Sequence, residues 1–320
     1  MKVQLNRYKN ITDNLIFISG ITRSGKSILC PLISSFKKTE NFTLNSVAEV
    51  VLAKIHSLLI NKEVGKYLIK ISYNEILYNL AIGRNLNLKK TDYSSVANHI
   101  SFKSYQKRLI THENKLNFKN TLKKNFFPTM FHDLMIDPQT IIEVFPKGKI
   151  LNIERHPIDV ISSWKKKEYG KKYLKNERNL ILSFNKNKKI IPFYIIKNYQ
   201  EFLKQKSDED RIIFILWEIN KIIKKKYKKL SIEQRKNIIT ITFDDLTTKT
   251  FDTLKRIELF LKIKKSSYTY KVAKKENCPR KNDYASRQSK NLVIHKKISK
   301  TNKKKLLDMI KLYETKKFYI

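Results

Sequence analysis

Between Gly20 and Ser27 the chain reads G-x-x-x-x-G-K-S, as Gly20-Ile21-Thr22-Arg23-Ser24-Gly25-Lys26-Ser27. Two of the chain's six glycines fall in these eight residues. The chemistry this spacing serves is anion binding. A glycine-bounded turn lets successive backbone N–H groups converge on a phosphate or sulfate, and a helix starting there adds favourable partial charge. Lys26 supplies a point charge and Ser27 a hydroxyl. A second stretch, Arg155-His156-Pro157-Ile158-Asp159-Val160-Ile161-Ser162-Ser163-Trp164, sets an arginine just before a proline and a serine eight residues on. An arginine at a strand end and a hydroxyl on the second turn of the following helix can grip another phosphate, away from the first cradle. Arg155 could instead pair with Asp159, which would leave Ser163 an ordinary helical residue.

Positioning these groups requires strands that end where they begin. Leu15-Ile16-Phe17-Ile18 is a short apolar run with the character of a buried strand, and Lys149-Ile150-Leu151-Asn152-Ile153 is another. Ile238 to Phe243 is a third, and Phe42 to Leu44 a short fourth. Helices are expected after the glycine turn as far as Lys37 (bent at Pro31, or starting late because of it), over Val47–Leu59, and over Val64–Ile82 with Gly83 as C-cap. Others are expected after Asp137-Pro138, over Ile158–Lys167, from Ser207 through the lysines at 224–229, over Phe251–Leu261 and over Thr301–Glu314. Leu174–Lys206 reads as surface helix, Arg84–Ser95 and Ser266–Lys290 as loops. Strands alternating with helices predict an α/β fold: a parallel sheet flanked by helices on both faces, with its ligand at the carboxyl ends of the strands.

Composition narrows the partners. With 68 Lys and Arg against 28 Asp and Glu, the chain of 320 residues has a formal net charge of +40. Such a surface attracts polyanions. Lysine dominates the excess, however, and travels with Asn, Ile and Tyr, the mixture that AT-rich coding leaves at unconstrained surface positions. Part of the charge therefore reads as drift and solvated helix face, and no specific nucleic-acid partner is expected. Cys30 and Cys278 are far apart and lack partners at metal-ligand spacing, so neither a disulfide framework nor a zinc site is implied. The N-terminal residues have no apolar signal core, and no apolar stretch reaches the length of a membrane span. The expectation is a soluble, cytoplasmic protein.

Taken together, the two motifs resemble those of the sulfotransferase family, which uses 3′-phosphoadenosine 5′-phosphosulfate (PAPS) as donor on a P-loop-like α/β fold. The family's 5′-phosphosulfate loop commonly reads P-R-S-G-T-T; here stands Thr22-Arg23-Ser24-Gly25-Lys26-Ser27. Its 3′-phosphate motif reads R-[NH]-P-x-D-x-x-x-S, matched by Arg155, His156, Pro157, Asp159 and Ser163, with the aromatic Trp164 following. Phe145-Pro146-Lys147-Gly148-Lys149-Ile150 resembles the lead-in F-P-x-A-K-I, and Phe243-Asp244-Asp245-Leu246 with Leu254 and Phe260-Leu261 resembles a later strand and helix of the family. The resemblance implies one domain over 1–320, with core motifs at 14–30 and 149–165. A helical insertion would run over about 60–135, and a C-terminal donor or acceptor loop and helix over about 266–320.

The activity this implies is transfer of a sulfuryl group from PAPS to a hydroxyl or amino acceptor, with carbohydrates and other small molecules as acceptor candidates and no metal required. Arg23, Ser24, Gly25, Lys26 and Ser27 would hold the 5′-phosphosulfate, Lys26 stabilising charge on the bridging oxygen. Arg155 and Ser163 would hold the 3′-phosphate. The catalytic base would be Glu49, where the glutamate-using branch places it, or His132. Arg84, Asn85, Asp92, Ser94 and Ser95 form a polar cluster that could line an acceptor pocket, and Arg280-Lys281 and Arg287 fall where the family closes a loop over the donor. Trp164 and Trp217 are the candidates for stacking on adenine or for helix packing.

Two residues depart from the pattern. Thr22 replaces a proline, and Lys26 replaces a threonine and completes a Walker A match. The alternative is therefore an ATP-dependent kinase or NTPase, which would need an Asp at the end of a core strand to help hold magnesium. Asp244-Asp245 could serve.

Overall fold

The computed structural model describes residues 9–172, 182–186 and 189–318. Five parallel strands form the central sheet: β1 (Leu15–Gly20), β2 (Thr43–Leu44), β3 (Phe127–His132), β4 (Lys149–Glu154) and β5 (Ile238–Thr242), in the order β2-β3-β1-β4-β5. Strand β1 lies at the centre, with Ser19 in register with Phe131 on one side and Asn152 on the other. Because side chains alternate across a sheet, Leu15 and Phe17 enter one core and Ile16 and Ile18 the opposite one. Helices cover both faces, as expected for an all-parallel sheet.

On the Ile16 side lie α1 (Lys26–Ser34) and, from further along the chain, Thr250–Leu261 and Tyr268–Lys275. On the Phe17 side lie α2 (Ser46–His56), α3 (Lys62–Ile82), α4 (Pro138–Val144), α5 (Pro157–Lys166) and α6 (Asp208–Lys228). After β5 the chain continues through α7 (Phe243–Thr248), α8 (Thr250–Leu261), α9 (Tyr268–Lys275), α10 (Tyr284–His295) and α11 (Lys300–Glu314). The local signals act as their chemistry requires. Gly83 takes φ +83° at the end of α3, and Ser207 caps α6 by accepting the Asp210 amide. Among the described residues no helix is long and apolar enough to cross a membrane.

Three expectations are corrected. The stretch over about 60–135 is not all helical insertion: its last part is β3, inserted between β2 and β1. The segment Ser266–Lys290 is not a loop but carries α9 and the start of α10. Of the surface helix expected over 174–206, residues 174–181 lie outside the described residues. The remainder contains a hairpin, Ser183–Lys186 paired antiparallel with Lys189–Pro192, and then short helical turns over Phe193–Leu203.

Candidate functional site

The glycine turn joins β1 to α1 at the carboxyl edge of the sheet. Gly20 and Gly25 take φ +152° and +113°, and a Cβ on Gly25 would stand 2.3 Å from Phe243 Cδ2. The turn is thus closed by two glycines for backbone and packing reasons at once. Arg23 also takes a left-handed φ of 71°, held there by its neighbours. Trp164 of α5 donates its indole N–H to the Thr22 carbonyl at 2.8 Å, and Arg155 donates to the Arg23 carbonyl at 3.1 Å. At the start of α1 the amides of Ile28 and Leu29 donate to the Gly25 carbonyl, and those of Lys26 and Ser27 precede the helical ladder. Ser24 Oγ is buried and meets no partner among the described residues.

Lys26 is buried, and its ammonium donates to the Gly20 and Ile21 carbonyls at 2.5 and 2.8 Å. Burial brings its pKa down to about 8, opposed by the nearby carboxylates of Asp133, Glu49 and Glu154.

The two motifs meet. Arg23 Nε donates to Ser163 Oγ at 2.9 Å, across 140 residues of sequence. Arg155 lies over the Phe243 ring at 4.5 Å from its centroid, and Arg280 lies over the same ring at 5.4 Å. Burial, joined by the positive charge of Arg23 and Arg280, lowers Arg155 from its usual value, while Asp159 and Asp244 oppose the shift. The Arg155 Nε has no hydrogen-bond partner among the described residues. The alternative pairing of Arg155 with Asp159 is not made. Asp159 Oδ2 accepts from Arg287 at 3.0 Å and its Oδ1 from Lys290 at 2.9 Å. Arg287 also forks onto Asp244, at 2.8 and 3.0 Å. Asp245 accepts from Lys316 at 2.6 Å, so both carboxylates after β5 are already engaged. Among the described residues no group of three or more His, Cys, Asp or Glu side chains is placed to hold a metal ion.

The two candidate bases are one unit. Glu49 Oε1 accepts from the His132 amide at 2.7 Å and lies 3.0 Å from its ring Nδ1. An ionised carboxylate can only accept, so Nδ1 carries a proton and Nε2 of a neutral ring keeps its lone pair. Register places His132 beside Gly20. Both residues line a cavity of about 260 Å³ that reaches Thr22 of the glycine turn; Ser46 and Asp133 also line it, among apolar and aromatic side chains that include Val50, Ile136 and Phe193.

Other candidates lie elsewhere. Asp92 binds Ser94, Arg84 pairs with Glu113, and Arg84, Asn85 and Ser94 line a cavity that includes neither Glu49 nor His132. Trp164 is only 2% exposed and holds the turn, while Trp217 lines a cavity that also takes in Ile21 and Arg155, beside the two motifs. Three contributors had weak signals or none. Arg280 sits in a polar stretch, and Phe243 matched as part of a strand-to-helix pattern. Asp133 follows β3, a strand without a clear sequence signature.

No protein-family profile and no curated protein matches the sequence. Among solved structures, the chain is similar to the sulfotransferase domain of the olefin synthase of Synechococcus PCC 7002, with 13% identity, 98% of each chain covered and a TM-score of 0.44. It is similar to the sulfotransferase domain from the curacin biosynthetic pathway, with 12% identity, 79% of this chain and 75% of that chain covered and a TM-score of 0.38. A mouse sulfotransferase complexed with PAP shows 15% identity, 82% of this chain and 64% of that chain covered and a TM-score of 0.35. Likeness at this distance says what the chain resembles and assigns it no activity.

Proposed function

We propose that the chain transfers a sulfuryl group from PAPS to a hydroxylated small molecule. One observation carries the reading: Arg23 of the glycine turn bonds Ser163 while Arg155 bonds the turn's backbone, so the two motifs are in direct contact. A donor charged at both its 5′ and 3′ positions would suit two adjoining anion sites. The amides at the start of α1, Ser24, Ser27 and Lys26 would take the 5′-phosphosulfate. Arg155 and Ser163, with Arg280, would take the 3′-phosphate once Arg23 turns from Ser163 toward the donor.

Sulfuryl transfer is an in-line displacement, and positioning and charge stabilisation supply most of its catalysis. The acceptor oxygen attacks sulfur and the bond from sulfur to the bridging oxygen breaks. The acceptor's proton passes to Nε2 of His132, oriented by Glu49, and the leaving adenosine 3′,5′-bisphosphate carries charge facing Lys26. The cavity beside His132 mixes aliphatic and aromatic side chains with a few polar ones, which supports a compact acceptor with an apolar body.

A second reading, ATP-dependent phosphoryl transfer, rests on the complete Walker A sequence and on Asp133 at the end of β3, the strand beside β1. Ser27 and Asp133 would then serve a magnesium ion. Calorimetric titration with adenosine 3′,5′-bisphosphate, and separately with ATP and magnesium, decides between them. Tight metal-free binding of the bisphosphate is the expected result. A preference for ATP with magnesium would replace the first reading by the second.

A further inference from the structure

One group in the acceptor cavity is not used by the transfer itself. Asp133, with φ +56°, lines the cavity; its Oδ2 accepts from Tyr194 Oη at 2.7 Å, while its Oδ1 is buried and meets no partner among the described residues. An orphaned carboxylate oxygen in a cavity wall calls for a donor that the chain does not supply. Burial raises its pKa, with Tyr194, Lys26 and His132 opposing. The surroundings suit a cation more than a neutral donor. Glu49 adds a second carboxylate, and Phe193 and Tyr194 stand together at 4.0 Å between ring centroids, with Tyr169 on the same cavity. Aromatic faces beside a carboxylate attract ammonium groups. Of the cationic groups near it, Lys26 has its ammonium turned onto two backbone carbonyls and would be matched by the donor's own negative charge, and His132 is paired with Glu49. In a chain of net charge +40, this acidic, aromatic recess runs against the background field.

We propose that the acceptor carries a protonated amine as well as the hydroxyl that is sulfated, and that Asp133 Oδ1 binds the amine against Tyr194. The proposal rests on reading this cavity as the acceptor site. The acceptor class is then a compact amino alcohol or aminoalkyl phenol, in keeping with a cavity at the small end of ligand pockets.

The test is calorimetric titration of the full chain with tyramine and with 4-ethylphenol, which share a ring and hydroxyl and differ in the ammonium group. Tyramine is expected to bind at least tenfold more tightly. In Asp133→Asn the two should come within about twofold of each other, with an unchanged far-ultraviolet circular dichroism spectrum as the check on folding. Equal binding of the two probes by the unaltered chain, or a preference for 4-ethylphenol, overturns the proposal without reference to any variant. Loss of magnesium-dependent ATP binding in Asp133→Asn, with neither probe preferred, overturns it by assigning the carboxylate to a metal. Titrations run with and without adenosine 3′,5′-bisphosphate separate the two readings. Failure to bind the bisphosphate counts against the donor, and failure to discriminate the probes counts against the amine.

Discussion

Arg155 and the Glu49–His132 pair can be separated by what each is asked to do. Arg155 would act on the ground-state donor through a charge-assisted contact, an interaction class worth about 1.5–3 kcal/mol. Arg155→Ala is therefore expected to weaken adenosine 3′,5′-bisphosphate binding by roughly 10- to 150-fold in calorimetry. Unchanged affinity would remove Arg155 from the donor site. Glu49 and His132 would act on the acceptor proton, so His132→Ala should lower kcat by about 10²–10⁴-fold with bisphosphate affinity intact. Glu49→Gln should also lower kcat with bisphosphate affinity intact, because an amide in place of the carboxylate can hold the ring in the wrong tautomer. From sequence alone the two stood as alternatives. Only the placement of α2 against the end of β3 makes the carboxylate and the imidazole partners, and pairing across 83 residues leaves no local trace.

Elements show most directly where the sequence was readable. Strands β1, β4 and β5 are apolar runs bounded by turn signals, and α3 and α6 carry their own caps, so both motifs could be hung on correct elements. Strand β3 hides because Pro128 interrupts it, and proline argues against a central strand. The fold tolerates it because β2 is two residues long and pairs with Thr129 and Met130, which leaves Pro128 beyond its end. Helices α9 and α10 hide for another reason. Each buries very little, Thr269 and Ala273 on one and Ile294 on the other, so neither shows an apolar stripe. What holds α10 down is polar: Arg287 and Lys290 bind Asp159 of α5, and Arg287 binds Asp244 of α7. Arg287→Met would leave Asp244 without its fork in a site where Arg287 is 17% exposed, and should cost about 2–4 kcal/mol in urea denaturation. A loss below 0.5 kcal/mol, the usual range for exposed pairs, would mean that packing rather than this bridge secures α10.

At the scale of the whole molecule, the charge of +40 named a class of partners and nothing finer, whereas a few buried ionic groups organise the interior. Glu40 is only 3% exposed and is bound by Arg108, Tyr105 and Asn125, tying the segment after α1 to the helical insertion. Burial alone would raise its pKa, but the Arg108 fork and its neighbours outweigh that and hold it below the usual glutamate value. Its unfolded value is the higher of the two. Its contribution is thus complete above the ordinary carboxylate range and fades as pH falls toward the folded value. Glu40→Gln should cost about 3 kcal/mol near neutrality and flatten the acid limb of stability against pH; an unchanged limb would place acid sensitivity elsewhere. The hydrogen bond from Trp164 to the Thr22 carbonyl has a further consequence, an optical one. Of the chain's two tryptophans, one has its indole N–H fixed to the loop that would receive the donor, and the other sits in α6. Filling the loop should change the intrinsic fluorescence, and Trp164→Phe should abolish the change while Trp217→Phe keeps it. The protein would then report occupancy of its own anion cradle without any added label.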